Sequence, residues 1–410
     1  MHILALQPYD GGSHKAFLDG WIRHSRHRFT ALRLPPHHWK WRMRHAAVTF
    51  ANQVAAKLDG DTAEDGGKGY DAVWCTSMLD LATFRGLCPL SISGLPAVVY
   101  FHENQLAYPP PPEGQSPPED QSPSEDQSPS EDQSPSEGQS PLAAGHGPAR
   151  GGDPRDVHFA LTHITSALAA QGVWWNSFFN RDSFLDAWRE TNSKMPGREF
   201  DGAAEVISSK SQIIEPGIEV SLRESYKASG DGVSGGESLR IVWAARWEHD
   251  KDPRAFFEAL YELDRQGIDF RVDVLGEAFK RVPPVFDEAK KRLKDRIDQW
   301  GFAEDRAAYI RCLQCADVAV STAKHEFFGL SMVEAVAAGA VAVVPDRLAY
   351  PQVFSKGGAV FYDGTNQGLV EVLTACSQWL PPAYPEAVAD YQWPAVAGRL
   401  DEAIACLRSG

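Results

Sequence analysis

Cysteine is scarce, long apolar runs are missing and basic residues are in deficit, and each shortage narrows the reading. Six cysteines in 410 residues show no framework spacing, which suits a reducing compartment, so a cytoplasmic protein is expected. No run of 18 apolar residues occurs, so no membrane-spanning helix and no membrane partner are expected. The opening MHILALQPYDGG lacks a charged n-region and reaches Pro8 too soon for a signal peptide. Forty Lys and Arg stand against 55 Asp and Glu, a net charge of −15. Taken as a whole, that balance argues against a polyanionic partner.

The charge that is present is unevenly spread. From Pro109 to Gly147 the chain repeats QSPSED, with eight carboxylates and no Lys or Arg. Such a tract has too little apolar surface to offset ordering entropy, so residues 109–152 are expected to be a disordered insertion. Residues 1–58 instead hold nine Lys or Arg against two Asp, a local +7, with seven of the thirteen histidines. That basic end can meet a nucleic acid although the chain is acidic. At roughly 150 residues per domain, the remaining length suits two domains.

Short apolar runs alternate with helical periodicity, the pattern of parallel α/β architecture. Strands are expected at 2–6, 29–34, 72–75, 97–101, 172–176 and 212–214, with helices between them. One helix, 37–58, aligns Trp39, Met43, Ala46, Phe50 and Val54 on one face. A Gly- and Ser-rich stretch follows Pro216-Gly217. A second series then places strands at 240–245, 270–276, 318–321 and 340–345, and helices near 253–266, 285–296, 305–316 and 328–338. The division is an N-terminal Rossmann-like domain over 1–222, a linker over 223–238, a second Rossmann-like domain over 239–380 and a helical segment over 381–410. Doubly wound sheets bind ligands at the carboxyl ends of their strands, here across a cleft.

Several motifs fall at those ends. After the first strand, Gly11 and Gly12 permit a tight turn and Ser13 suits a helix cap. Amides there can face a phosphate, and a plain strand-to-helix turn explains the same residues. In AARWEHDKDP, Arg246 and Lys251 lie five apart across a turn and can aim two cations at one diphosphate; surface salt bridging is the alternative. In STAKHEFFGLSMVEAVAAG, Glu326 precedes a helix whose first amides, near Phe328, Gly329 and Leu330, would point into the cleft. Glu334 sits within that apolar helix, where a carboxylate needs a hydroxyl or cation partner. HHWKWRMRH interleaves Lys40, Trp41, Arg42 and Arg44, a composition suited to stacking on splayed bases. Cys312 and Cys315 form a lone CxxC on a helix, read as packing. Two DxD patterns, at 59–61 and 250–252, raise a metal-dependent alternative. Two cations already placed for the leaving group make a metal unnecessary, so no metal and no cofactor are expected.

The Arg246, Lys251 and Glu326-x7-Glu334 set resembles the retaining GT-B glycosyltransferases of the glycosyltransferase 4 family. YDGGSHK, WKWR, YFHENQLAYP, RWEHDKDP and STAKHEFFG together resemble the tRNA-queuosine alpha-mannosyltransferase family over nearly all of the foldable chain. The resemblance implies a GT-B fold and transfer of mannose, with retention, from GDP-mannose to the cyclopentenediol of queuosine in the tRNA-Asp anticodon. It implies that Arg246 and Lys251 neutralise the departing diphosphate and that Glu326 holds donor-sugar hydroxyls, beside the Phe328–Leu330 amides. Glu334 would hold the ribose, and His102 would face the anomeric centre. Glu103 and Asn104 would support His102 or shape the acceptor side. The acidic repeat departs from the family pattern. A related enzyme with another sugar nucleotide or a lipid or glycan acceptor, and a non-catalytic tRNA-binding module, are the competing readings.

Overall fold

A computed structural model describes residues 1–60, 69–107, 157–223, 238–277 and 282–407. The acidic insertion, most of the linker and Asp61 of the first DxD pattern lie outside the described residues. The first half runs β1 (His2–Gln7), α1 (Gly12–His24), β2 (Arg28–Arg33), α2 (Trp39–Gly60), β3 (Ala72–Thr76), α3 (Leu81–Leu87), α4 (Leu90–Ser93) and β4 (Ala97–Phe101). It continues with α5 (Val157–Ala169), β5 (Gly172–Trp175), α6 (Phe178–Ser193), α7 (Ala203–Ser209) and β6 (Ser211–Ile213). Its strands pair in parallel in the order β2-β1-β3-β4-β5-β6. The central strands AVWCT and AVVYF are buried at every position, because helices cover both faces of a parallel sheet.

The second half repeats the plan. It runs β7 (Leu239–Ala244), a 3-10 turn at His249–Lys251, α8 (Pro253–Arg265), β8 (Phe270–Leu275), α9 (Val285–Arg292), β9 (Ile297–Gly301) and α10 (Arg306–Cys315). Then come β10 (Val318–Val320), α11 (Leu330–Ala338), β11 (Val341–Pro345), α12 (Tyr350–Val353), β12 (Ala359–Tyr362) and α13 (Asn366–Gln378). The parallel order is β12-β11-β10-β7-β8-β9. A 3-10 segment at Pro385–Tyr391 then leads to α14 (Trp393–Cys406).

That last helix returns to the first sheet. Trp393, Val396, Leu400 and Ile404 pack with Ile3, Ala5, Trp21, Trp74 and Trp174 in one buried cluster. A Cβ at Gly20 or at Gly217 would stand 2.0 or 2.3 Å from the Trp393 ring, so glycine on both sides makes its seat. Asp401, 3% exposed, accepts from Trp21 Nε1 at 2.8 Å, Ser25 Oγ at 2.6 Å and the Arg26 amide at 2.8 Å. A buried carboxylate with three donors is a satisfied one.

Three expectations change. Ser13 does not cap α1: the helix begins at Gly12, Gly11 is its extended N-cap, and Ser13 is exposed. The helix expected over 285–296 stops at Arg292, and Ile297–Gly301 becomes an edge strand. The other edge, β12, and the helix α13 are likewise absent from the sequence reading. β9, IDQWG, is half-exposed and lacks the continuous apolar run that marks a central strand, whereas β12, AVFY, is apolar throughout but only four residues long.

Candidate functional site

Both sheets turn their carboxyl ends toward one cleft, and contacts cross it. The Phe178 amide donates to Gln352 Oε1 at 2.7 Å, and the Phe179 and Phe327 rings lie 6.1 Å apart. On the second-half wall, the chain leaves β7 and enters the 3-10 turn, where Lys251 is 8% exposed. Thr322 Oγ1 donates to the carbonyls of Lys251 and Asp252 at 2.7 and 3.0 Å, and the Lys324 amide donates to Asp250 O at 2.8 Å. These bonds lock the turn to the loop 321–326.

Lys251 Nζ donates to the His325 carbonyl at 2.9 Å and to Glu326 Oε2 at 3.1 Å, and lies 3.3 Å from Asp250 Oδ2. Burial pushes the Glu326 carboxyl up. The charge and hydrogen bond of Lys251, the Phe328 amide and Arg246 outweigh burial and hold it below the usual range. Glu326 Oε1 accepts from the Phe327 and Phe328 amides at 3.1 and 3.4 Å. The Phe328 amide, expected to face the ligand, is thus shared with Glu326. Gly329 takes φ +87, and a Cβ there would stand 2.7 Å from the Tyr350 ring. Only glycine lets α11 start this close to Tyr350. Leu330 opens α11 half-buried.

Arg246 is half-exposed and pairs with Glu248 at 3.3 Å. Its charge reaches the opposite wall, where it acts on Tyr9, His14 and Glu103. Glu334 accepts from Tyr309 Oη at 3.0 Å and from both terminal nitrogens of Arg306. The partner that a carboxylate in this helix requires is therefore protein-borne. Leu330, Ser331 and Glu334 are the half-buried stripe of an otherwise buried helix.

The first-half wall carries the Gly11-Gly12 turn, His14, His102 and Glu103. A Cβ at Gly11 would stand 2.4 Å from Pro36, so the turn is closed from behind, and Gly12 takes φ +50. The His102 and His14 rings lie 4.2 Å apart. Burial, then the neighbouring His14, drives the His102 imidazole well below its usual value. Burial and Arg246 bring His14 to about 4. Burial raises Glu103 against the pull of Arg246, and Gln105 Nε2 donates to it at 3.3 Å. Asn104 does not reach the acceptor side. It is wholly buried, donating to Asn180 O and Oδ1 at 3.2 and 2.7 Å and accepting from the Ala107 amide at 2.8 Å. It ties the loop after β4 to α6.

On α2, Met43, Ala46, Phe50 and Val54 are buried as the periodicity requires. Lys40 and Arg44 are exposed, and Trp41 is 61% exposed. Arg42 is turned inward, donating to the His37 carbonyl at 3.2 Å and contacting the His37 and His45 rings at 3.0 and 3.2 Å. It braces the helix start. Asp252 takes φ +46, caps α8 and pairs with Lys324 at 2.8 Å. Among the described residues no three His, Cys, Asp or Glu side chains are grouped to hold a metal ion, and no helix is long and apolar enough to cross a membrane.

The sequence reading did not single out Tyr9, His14, His325 or Tyr350. His325 is buried and brought to about 4 by burial and Lys251. Tyr350 Oη and Ser321 Oγ lie 2.6 Å apart, and both residues line a cavity with Lys251 and Glu326. Tyr9, His14 and His325 stand inside the quoted motifs, so their signal was present; Tyr350 is placed by tertiary packing.

Residues 2–123 and 146–218 match the family model of the tRNA-queuosine alpha-mannosyltransferase N-terminal domain, and residues 230–375 that of the glycosyl transferases group 1. The tRNA-queuosine alpha-mannosyltransferase of Drosophila melanogaster is 28% identical over 360 residues, 87% of this chain and 82% of that protein. A GDP-mannose-dependent alpha-(1-6)-phosphatidylinositol dimannoside mannosyltransferase of Mycobacterium tuberculosis is 30% identical over 135 residues, 33% of this chain and 34% of that protein. Sucrose-phosphate synthase from Thermosynechococcus elongatus superimposes with a TM-score of 0.65 at 11% identity, covering 100% of this chain and 99% of that one. HepE of Anabaena, in complex with UDP and glucose, gives 0.58 at 15%, covering 98% and 99%. The fold is that of GT-B glycosyltransferases.

Proposed function

We propose, for a chain that belongs to the tRNA-queuosine alpha-mannosyltransferase family, that the donor is GDP-mannose and the acceptor the cyclopentenediol of queuosine in tRNA-Asp. The protein is a mannosyltransferase; donor base, acceptor tRNA, retention at the anomeric carbon and a cytoplasmic setting are the inferred parts. The observation that carries the reading is the buried Lys251–Glu326 pair opposite His102, with Arg246 at its mouth. As the bond from the anomeric carbon to the diphosphate oxygen breaks, charge builds on the diphosphate. Lys251 and Arg246 are positioned to meet it, where low dielectric strengthens each contact. Glu326, held ionised by Lys251, accepts from donor-sugar hydroxyls, and neutral His102 lies toward the reacting sugar. Glu334, oriented by Arg306 and Tyr309, accepts from the ribose. In this reading two side-chain cations do the work of a divalent ion, and no metal or cofactor takes part. The GDP-mannose dependence named for the mycobacterial relative supports the donor assignment.

The experiment is nucleoside mass spectrometry of queuosine-containing tRNA-Asp incubated with the protein and, separately, GDP-mannose, GDP-glucose and UDP-galactose, with and without EDTA. A hexose added to queuosine only from GDP-mannose, EDTA notwithstanding, is expected. Transfer from UDP-galactose instead, or to a lipid extract and not to tRNA, overturns the assignment.

A further inference from the structure

One corner of the first-half wall carries buried polar atoms that the fold itself does not satisfy. Gln7 ends β1 and Thr76 ends β3, and the pairing of Leu6 with Cys75 brings them side by side. Each stands two residues beyond a member of the cluster under α1 and α14, Ala5 and Trp74, and His102 stands two beyond Tyr100. Alternation along a strand therefore turns all three toward that face. His14, on the first turns of α1, closes the corner with its ring 4.2 Å from that of His102. Gln7 and Thr76 are wholly buried and His14 is 7% exposed. Gln7 Oε1, His14 Nδ1, Thr76 Oγ1 and His102 Nε2 have no hydrogen-bond partner. Four such atoms at the carboxyl ends of three neighbouring strands and the start of α1 are costly unless a ligand supplies their partners.

The chemistry of the set restricts that ligand. The two imidazoles are kept neutral by burial, and Arg246 adds to the cost of charging His14. A phosphate or carboxylate can only accept, and it would favour imidazolium forms that this corner resists. An ammonium can only donate. A hydroxyl donates and accepts at once, so it matches neutral imidazole, amide oxygen and threonine hydroxyl in either tautomer. We propose that His14 and His102, backed by Gln7 and Thr76, form a hydroxyl-recognition corner that takes vicinal hydroxyls of a neutral ring, from the donor sugar or from the acceptor's cyclopentene. His14 is then a specificity-determining residue that touches substrate. The inference rests on the mannosyl-transfer reading for the names of its two sources, and on the unsatisfied atoms for the corner.

Binding separates the sources. Affinities of the whole protein for GDP, GDP-mannose, tRNA carrying queuosine and the same tRNA carrying guanosine are compared before and after His14→Phe, which keeps a ring against His102. GDP affinity should not change. The preference for GDP-mannose over GDP should fall at least about tenfold if the donor sugar is held, or the preference for queuosine over guanosine if the diol is held, since a site built for hydroxyls loses its discrimination with its partner. His14→Gln, which keeps a donor and an acceptor, should restore part of the lost preference and serves if the Phe variant misfolds. Both preferences intact in folded His14→Phe overturn the proposal. A parent protein that binds GDP-mannose but transfers nothing to queuosine would sink the functional reading and leave the donor comparison valid.

Discussion

At the residue scale, Lys251 holds the second-half wall of the cleft together electrostatically. It faces two carboxylates and is barely exposed. Lys251→Ala should lower turnover at least about a hundredfold, since a charge-stabilising donor is typically worth ~3 kcal/mol. Without that cation, burial dominates at Glu326 and its carboxyl titrates at higher pH. The pH–rate profile of the residual activity should therefore move upward; near-parental turnover in a folded variant would remove Lys251 from the mechanism. The buried histidines make a second prediction. His14, His163 and His325 each sit at about 4, chiefly through burial. An unfolded histidine binds its proton near 6.5, so between these values the unfolded state carries the extra protons. Their contribution is thus present in full above about pH 6.5 and is lost as pH falls toward 4, by about 1.4 kcal/mol per pH unit for each. Urea titrations between pH 7 and 5 should show stability falling with acid. Stability that is flat over that range would mean the three rings titrate normally.

At the scale of the element, α2 separates two jobs that its sequence interleaves. Its buried face anchors it, while Lys40, Trp41 and Arg44 stay outside and Arg42 folds back onto His37 and His45. Lys40→Gln with Arg44→Gln should weaken tRNA binding and flatten its salt dependence by a slope of about 2, one for each phosphate that is no longer neutralised. Trp41→Ala should cost roughly 1–3 kcal/mol of tRNA affinity if a base stacks there. GDP-mannose binding should not move in either variant, and unchanged tRNA binding at physiological salt would make this face a solvated one. Arg42→Gln belongs in another class and should lower the melting temperature. The sequence displayed this helix, its buried stripe and its basic face because periodicity is local. It did not display which of three neighbouring cations turns inward, since that depends on histidines five before and three after Arg42. The same limit explains Asn104, read inside FHEN as a cleft residue and placed by α6 in the core. Central strands were legible as apolar runs; β9, IDQWG, was not, because it holds too few apolar residues, and β12, AVFY, was not, because so short an apolar run does not by itself separate strand from helix.

For the whole molecule, the two halves are joined twice, through the segment after β6 and through the 3-10 segment that leads to α14. Trp393→Ala removes an indole that is 3% exposed and seated between two glycines. Burial on that scale is worth about 3–5 kcal/mol. The loss should appear in the unfolding of the first half, although residue 393 lies beyond the second in sequence, and tryptophan fluorescence against urea resolves it. A loss confined to the transition of the second half would contradict the packing described.

The return of α14 also sets a timetable. A ribosome delivers β1 long before Trp393, and domains ordinarily fold as they emerge. Here Ile3, Trp74 and Trp174 of the first sheet, met early by Trp21 of α1, receive the rest of their cover only from α14, which follows every strand of the second half. Until α14 is made, part of that indole-rich surface stays uncovered, and by then the second half already has all its strands. The first half is thus committed to being finished last, and a nascent chain stalled before residue 393 presents a tryptophan-lined surface to any chaperone that scans for one.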